Sequence, residues 1–113
     1  MNASLDQLLL NAIRTRRLIR FRYKGRERIA EPHDYGIQNE TVRLFCYQLG
    51  GHSSGRLPGW RMFDVSGMRE CELLEKEFAG NRETPSGSHL RWDKVFLRVG
   101  PPGPSKSEDF GEP

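Results

Sequence analysis

The sequence predicts a mainly β domain, small enough to close into a barrel and led by one α-helix. Two observations carry this. Apolar residues recur at helical spacing only near the start, at Leu5, Leu8, Leu9, Ala12 and Ile13. From Ile19 onward the pattern switches to period two and gives five or six short strands separated by turn residues. So few strands are too little for a sandwich, and closing the sheet on itself removes exposed edges.

The helix is expected over about residues 5–16. Ser4 followed by Gln7 has the pattern of a capping box. Arg14, Arg16 and Arg17 fall at its end, where cations interact favourably with the helix dipole. Ile19, Phe21 and Tyr23 then alternate with Arg20, Arg22 and Lys24, a strand with one apolar and one cationic face. Lys24-Gly25 reads as a hairpin turn, and Arg26 to Glu31 as the return strand. Pro32 is expected to end that strand or place it at an edge. Tyr35-Gly36 and Asn39-Glu40 read as turns. Thr41 to Leu49 is the strongest strand, apolar on both faces except at Arg43 and Gln48, and so belongs at the centre of the sheet. A loop covers Gly50 to Gly59, and Trp60 to Val65 is a further strand. Met68 to Glu75 fits either a strand or a helix on its own pattern. Residues 79–91 read as loop. Trp92 to Val99 is the last strand, with Val95, Leu97 and Val99 on one face.

The 113 residues suit one domain over 1–99. Residues 100–113 are Pro, Gly, Ser and acid with one aromatic, and read as a flexible tail. No run approaches the ~20 apolar residues of a membrane span, and no basic leader precedes an apolar run. A cytoplasmic protein is the expectation, with no membrane partner and with Cys46 and Cys71 as free thiols. Charge is uneven. Residues 1–32 carry eight Arg or Lys against three acids, and residues 33–113 carry ten against twelve, giving the net +3. The early surplus reads as a solvated face or as an anion-binding stripe.

The motifs of common enzyme classes do not occur. His33, His52 and His89 are far apart and form no HxxH or HExxH, and no CxxC occurs. No Ser or Cys sits in a GxSxG elbow. Neither a GxxxxGK[ST] loop nor a GxGxxG turn occurs. The expectation is a protein that is not an enzyme, with no metal and no cofactor. Cationic residues are instead interleaved with aromatics on strands: Arg22 beside Phe21 and Tyr23, Arg43 near Phe45, Arg61 beside Trp60. Arg offers a planar fork that matches a phosphate and stacks on bases. Aromatics on a sheet can stack on unpaired bases for ~1–3 kcal/mol each. An Arg on a central strand needs a partner to offset its desolvation. For Arg43 and Arg61 that partner is an acid such as Asp34 or Asp64, or a bound ligand.

The order of these signals resembles the WYL domain family. The resemblance rests on Ile19-Arg20-Phe21-Arg22-Tyr23, on Arg28 and Pro32, on Val42-Arg43-Leu44-Phe45-Cys46-Tyr47, and on Arg61-Met62-Phe63-Asp64-Val65 with Met68 behind it. Phe78 and Arg82 continue it, Trp92 to Val99 stands where the closing strand belongs, and it spans about residues 8–99. The naming tripeptide reads Val42-Arg43-Leu44, so two of its three positions differ, and no helix-turn-helix fits before Leu5. The resemblance tips Met68–Glu75 toward strand. It implies an Sm-like or SH3-like barrel of bacterial regulators that sense single-stranded nucleic acid or nucleotides in transcription regulation. Carried onto this chain, it centres the site on Arg61 and Arg43, with His33 and Tyr35 at the rim. The charge pattern adds Arg22, Arg28 and Arg56, and Trp60 or Tyr35 would stack. The competing expectation is a protein-interaction module that docks a separately encoded effector or a second copy of itself.

Overall fold

The computed structural model describes residues 3–53, 55–82 and 91–101. Helix α1 spans Ala3–Thr15 and buries Leu9, Ala12 and Ile13. Ser4 therefore lies in the first turn and is not the cap that its spacing to Gln7 suggested. Arg16 takes φ 56, a left-handed conformation that stops the helix. Of the three arginines expected in the last turn, Arg14 is there, while Arg17 already opens the sheet.

Six strands follow: β1 (Arg17–Tyr23), β2 (Arg26–Gln38), β3 (Thr41–Gly51), β4 (Gly59–Asp64), β5 (Met68–Glu77) and β6 (Lys94–Arg98). They form one antiparallel sheet in the order β4-β3-β2-β1-β5, and β6 pairs with β2. Lys24-Gly25 and Asn39-Glu40 make two tight hairpins. All four residues have positive φ, as the turns that follow strand twist require. Met68 to Glu77 is a strand, as the resemblance implied.

Strand β2 departs from the expectation. It does not stop at Pro32, and Tyr35-Gly36 is not a turn but lies within it. Its first half pairs with β1 through Ala30, and its second half with β6 from Asp34. Pro32 falls in the gap between these ladders, where its missing N–H costs little. Across β3, Pro32 faces Cys46 and Asp34 faces Phe45, so His33 is the extra residue of a bulge. Gly36 is needed because a Cβ there would collide with the Lys94 carbonyl of β6. The last strand is shorter than expected. A bulge between its pairings with Tyr35 and Gly36 sends Phe96 against the Tyr35 ring, 5.0 Å between centroids, and leaves Val95 exposed.

The inner face holds Ile19, Phe21, Ala30, Leu44, Cys46, Phe63 and Val65, with Leu9 and Ile13 of α1 against them. Each large side chain buried there contributes ~1.5–3 kcal/mol. The sheet is strongly rolled. Phe63 of β4 meets Phe21 and Tyr23 of β1 edge-on at 4.9 and 4.8 Å, although β3 and β2 lie between those strands in the sheet. The Asp64 N–H donates to the Tyr23 hydroxyl at 3.1 Å across the same junction. Among the described residues no helix is long and apolar enough to cross a membrane.

Candidate functional site

Side-chain alternation decides which arginines reach the inner face. Arg28 stands opposite Phe21, and Phe21 is in the core, so Arg28 points inward as well. It sits one step before Ala30, near the β1–β2 hairpin, and is only 8% exposed. Its guanidinium lies 5.6 Å from the centroids of both Tyr23 and Phe63. Nη2 donates to the Tyr23 carbonyl at 3.1 Å, while Nε has no hydrogen-bond partner among the described residues. Among the described residues no carboxylate pairs with it. Burial, then the charge of Arg26, and to a lesser degree that of Arg61, hold it below the ordinary arginine range.

Arg61 also points inward, since its partner on β3 is the buried Cys46. It organises the loop before β4. Nε donates to Ser53 Oγ at 2.8 Å, Nη1 to the Trp60 carbonyl at 2.7 Å and Nη2 to the Arg56 carbonyl at 2.8 Å. Gly55 and Gly59 let the chain close over it; a Cβ at either would come within 2.9 Å of a guanidinium nitrogen. All three acceptors are neutral, so the charge of Arg61 is not cancelled. Gln48 lies between the two arginines. It faces Ala30 on one side and Gly59 on the other, and is fully buried. Its Nε2 donates to the Gly50 and His52 carbonyls, each at 2.8 Å, and its Oε1 has no partner.

The other expected site residues lie elsewhere. Arg43 is held by Asp64 at 2.9 Å and by Gln38 at 2.8 Å, an internal ion pair. Tyr35 is fully buried rather than at a rim; its hydroxyl donates to Asp6 Oδ1 at 2.6 Å, and burial raises its pKa well above the ordinary phenol value. Arg56 is exposed and contributes its carbonyl to Arg61. Arg22 is exposed on the outer face, where it donates to the Gly25 carbonyl.

His33 and Trp60 belong to a separate cluster on the outer face. Trp60 stacks on Phe45 at 4.7 Å and meets Tyr47 and His33 edge-on. Beneath Arg82, which lies 4.2 Å above the Tyr47 ring, is Glu31. Glu31 is 2% exposed and accepts two bonds from Arg82, at 2.7 and 2.8 Å, and one from His33 at 3.1 Å. Burial alone would raise that carboxyl, but the Arg82 and His33 bonds outweigh it and hold it below the usual carboxylate range. Burial keeps Cys71 a thiol, pushed up to about 11, and raises Cys46 well above the ordinary thiol value; neither has the low pKa of a reactive cysteine.

No family model, curated protein or solved structure matches this chain.

Arg28 and Arg61 therefore share the inner face, on strands two apart, while Arg43 stands on the other face. Gln48 and the Glu31–Arg82 pair were missed as functional groups. Gln48 had a signal, as one of two polar exceptions, with Arg43, in the most apolar strand. Glu31 had none, because its partner lies 51 positions away. A groove of about 760 Å³ lies elsewhere, beside α1, with Leu5, Leu8, Val42, Val65 and Met68 in its wall. None of the eight expected site residues lines it, and Glu40, Glu70 and Arg69 give it charges of both signs. Arg28 and Arg61 are not among the residues of its wall.

Proposed function

We propose that this protein is a non-enzymatic binding module for a polyanion, single-stranded nucleic acid or a nucleotide, held by Arg28 and Arg61. The observation that carries the reading is the environment of Arg28. A nine-tenths buried arginine whose Nε is unpartnered among the described residues, with no carboxylate and a second uncancelled arginine on the same face, is costly to the fold. A bound phosphate would supply the missing acceptor and the missing charge.

The rolled sheet supports the finer reading of a closed small barrel; the WYL type rests on the sequence resemblance. Regulation of transcription, through a separately encoded effector, is what the resemblance adds. Arg43 plays no part in the site in this reading, because Asp64 already neutralises it.

The test is fluorescence anisotropy of labelled single-stranded DNA and RNA at low and near-physiological salt, with Arg28→Ala and Arg61→Ala alongside the wild type. Binding that weakens with salt and falls at least tenfold in both variants, with folding intact, supports the proposal. No binding by the wild type at low salt refutes it and turns attention to a protein partner.

A further inference from the structure

The rolled sheet leaves a seam. Strands β4 and β5 end the order β4-β3-β2-β1-β5, and among the described residues no ladder joins them. Strand β4 pairs with β3 only from Arg43 to Gln48, so Thr41 and Val42 run past its end. The chain then passes through the short 3₁₀ turn Val65–Gly67 into β5. The groove of about 760 Å³ lies at this seam. Glu40, Thr41 and Val42 form one wall, and Met68, Arg69, Glu70 and Cys71 form another. Each is a run of consecutive residues, so each presents main chain as well as side chains. Outside its ladder with β1, the main-chain bond described for the β5 wall runs from the Met68 N–H to the Val65 carbonyl. A strand edge left unpaired is a template for an added strand. Leu5, Leu8, Val42 and Cys71 pack on the core yet stay half-buried, and their remaining surface gives the groove an apolar floor.

The charges of the lining select the occupant. Glu40 and Glu70 stand exposed on opposite walls, and neither is ion-paired among the described residues. Arg69 folds back on its own turn, where Nη1 donates to the Ser66 and Met68 carbonyls at 2.7 and 3.1 Å. Two carboxylates against one guanidinium leave the groove net negative on a chain of net charge +3. A bulge keeps Glu70 available. Arg20 faces Glu72, so a regular antiparallel ladder would place Glu70 opposite Arg22. The register shifts instead, Arg22 faces Arg69, and Glu70 takes φ 52. That conformation is unfavourable for a residue with a Cβ, and bulges re-aim side chains.

We infer that this groove takes an extended, basic peptide of a partner protein, added as a strand to the outer edge of β5. Alternate side chains of a strand point to opposite faces. Apolar residues at every second position would meet the Leu5 and Leu8 floor, and Lys or Arg between them would reach the Glu40 and Glu70 carboxylates. Four residues, about 13 Å at ~3.3 Å each, match the Met68–Cys71 wall. The inference is independent of Arg28 and Arg61, which lie outside the groove. The test titrates the isotope-labelled full chain with the peptide Ac-KVKVKVK-NH2 and follows amide shifts and hydrogen exchange. The controls are Ac-EVEVEVE-NH2, Ac-KSKSKSK-NH2 and the variant Glu40→Gln/Glu70→Gln, both of whose sites are exposed. The basic apolar peptide should shift amides in Thr41–Val42 and Met68–Cys71 and slow exchange in the latter. Binding should be about fivefold weaker in the double variant, as two exposed ion pairs allow. It should weaken with the serine peptide and vanish with the acidic one. No shifts at millimolar basic peptide, or shifts without slower exchange in Met68–Cys71, overturn the added strand. Equal binding of the acidic peptide, or full binding by the double variant, overturns the basic partner.

Discussion

Replacing Arg28 by methionine should stabilise the fold while abolishing anion binding. Keeping a charged residue at 8% exposure costs several kcal/mol of desolvation, on the order of 3–5. The unpartnered Nε adds ~1–3 kcal/mol. Against this, the Nη2 bond to the Tyr23 carbonyl recovers ~1.5–3 kcal/mol. The Tyr23 and Phe63 rings, whose centroids at 5.6 Å lie close to the useful limit, add roughly 1 kcal/mol together. Methionine keeps the unbranched stem against those rings and removes the charge. At the middle of these ranges the balance favours Arg28→Met by about 3 kcal/mol, each kcal/mol corresponding to about 4–8 °C in melting temperature. Urea unfolding of both proteins without added anion measures the first half. The second half is ligand linkage. At a thousandfold excess over Kd, a single-stranded oligonucleotide should stabilise the wild type by ~4.1 kcal/mol and leave the variant unmoved. The curves therefore cross: the variant is more stable alone, and the wild type is more stable with ligand. A variant that loses more than 1 kcal/mol without ligand would refute the reasoning, since Arg28 would then be a structural residue whose compensation lies within the fold.

Removing Arg82 by R82A leaves Glu31 buried without its guanidinium and should cost ~2–3 kcal/mol in urea unfolding. That is below the full cost of breaking a buried pair, because Arg82 is 45% exposed and water can replace part of it. Glu31 is held below its unfolded pKa, so its contribution is present above the ordinary carboxylate range of ~4.3 and is lost as pH falls through the folded value. R82A should accordingly flatten the acid limb of the stability curve; an acid limb as steep as that of the wild type would count against the pairing. R43A should cost under ~1 kcal/mol and leave oligonucleotide affinity within twofold, since its partner Asp64 is 46% exposed. G36A should detach β6, because the new Cβ meets the Lys94 carbonyl, and hydrogen exchange should show protection lost at Val95 and Leu97 ahead of β1.

The sequence by itself determined the order of elements, the two hairpins and most of the core. Helical spacing from Leu5 to Ile13 and the alternation of Ile19, Phe21 and Tyr23 depend only on local periodicity, which a single chain displays. It also marked the early arginines as an unusual charge surplus. It could not say which of them face inward, because that depends on register across strands. Pro32 and Gly36 are turn formers by composition, yet β2 runs through both: one lies in the gap between two ladders, and the other makes room for β6. Tertiary structure alone decided the fates of the two arginines on which the site was first centred. Arg43 meets Asp64 across β4 and is neutralised, while Arg61 meets only carbonyls and a hydroxyl and keeps its charge. It likewise made Arg28 a buried cation without an acid, through the rolling of β1 onto β4. A bulge of one residue set Arg69 rather than Glu70 opposite Arg22. Charge and hydropathy are written along the chain, but which charges meet is settled only where strands pair.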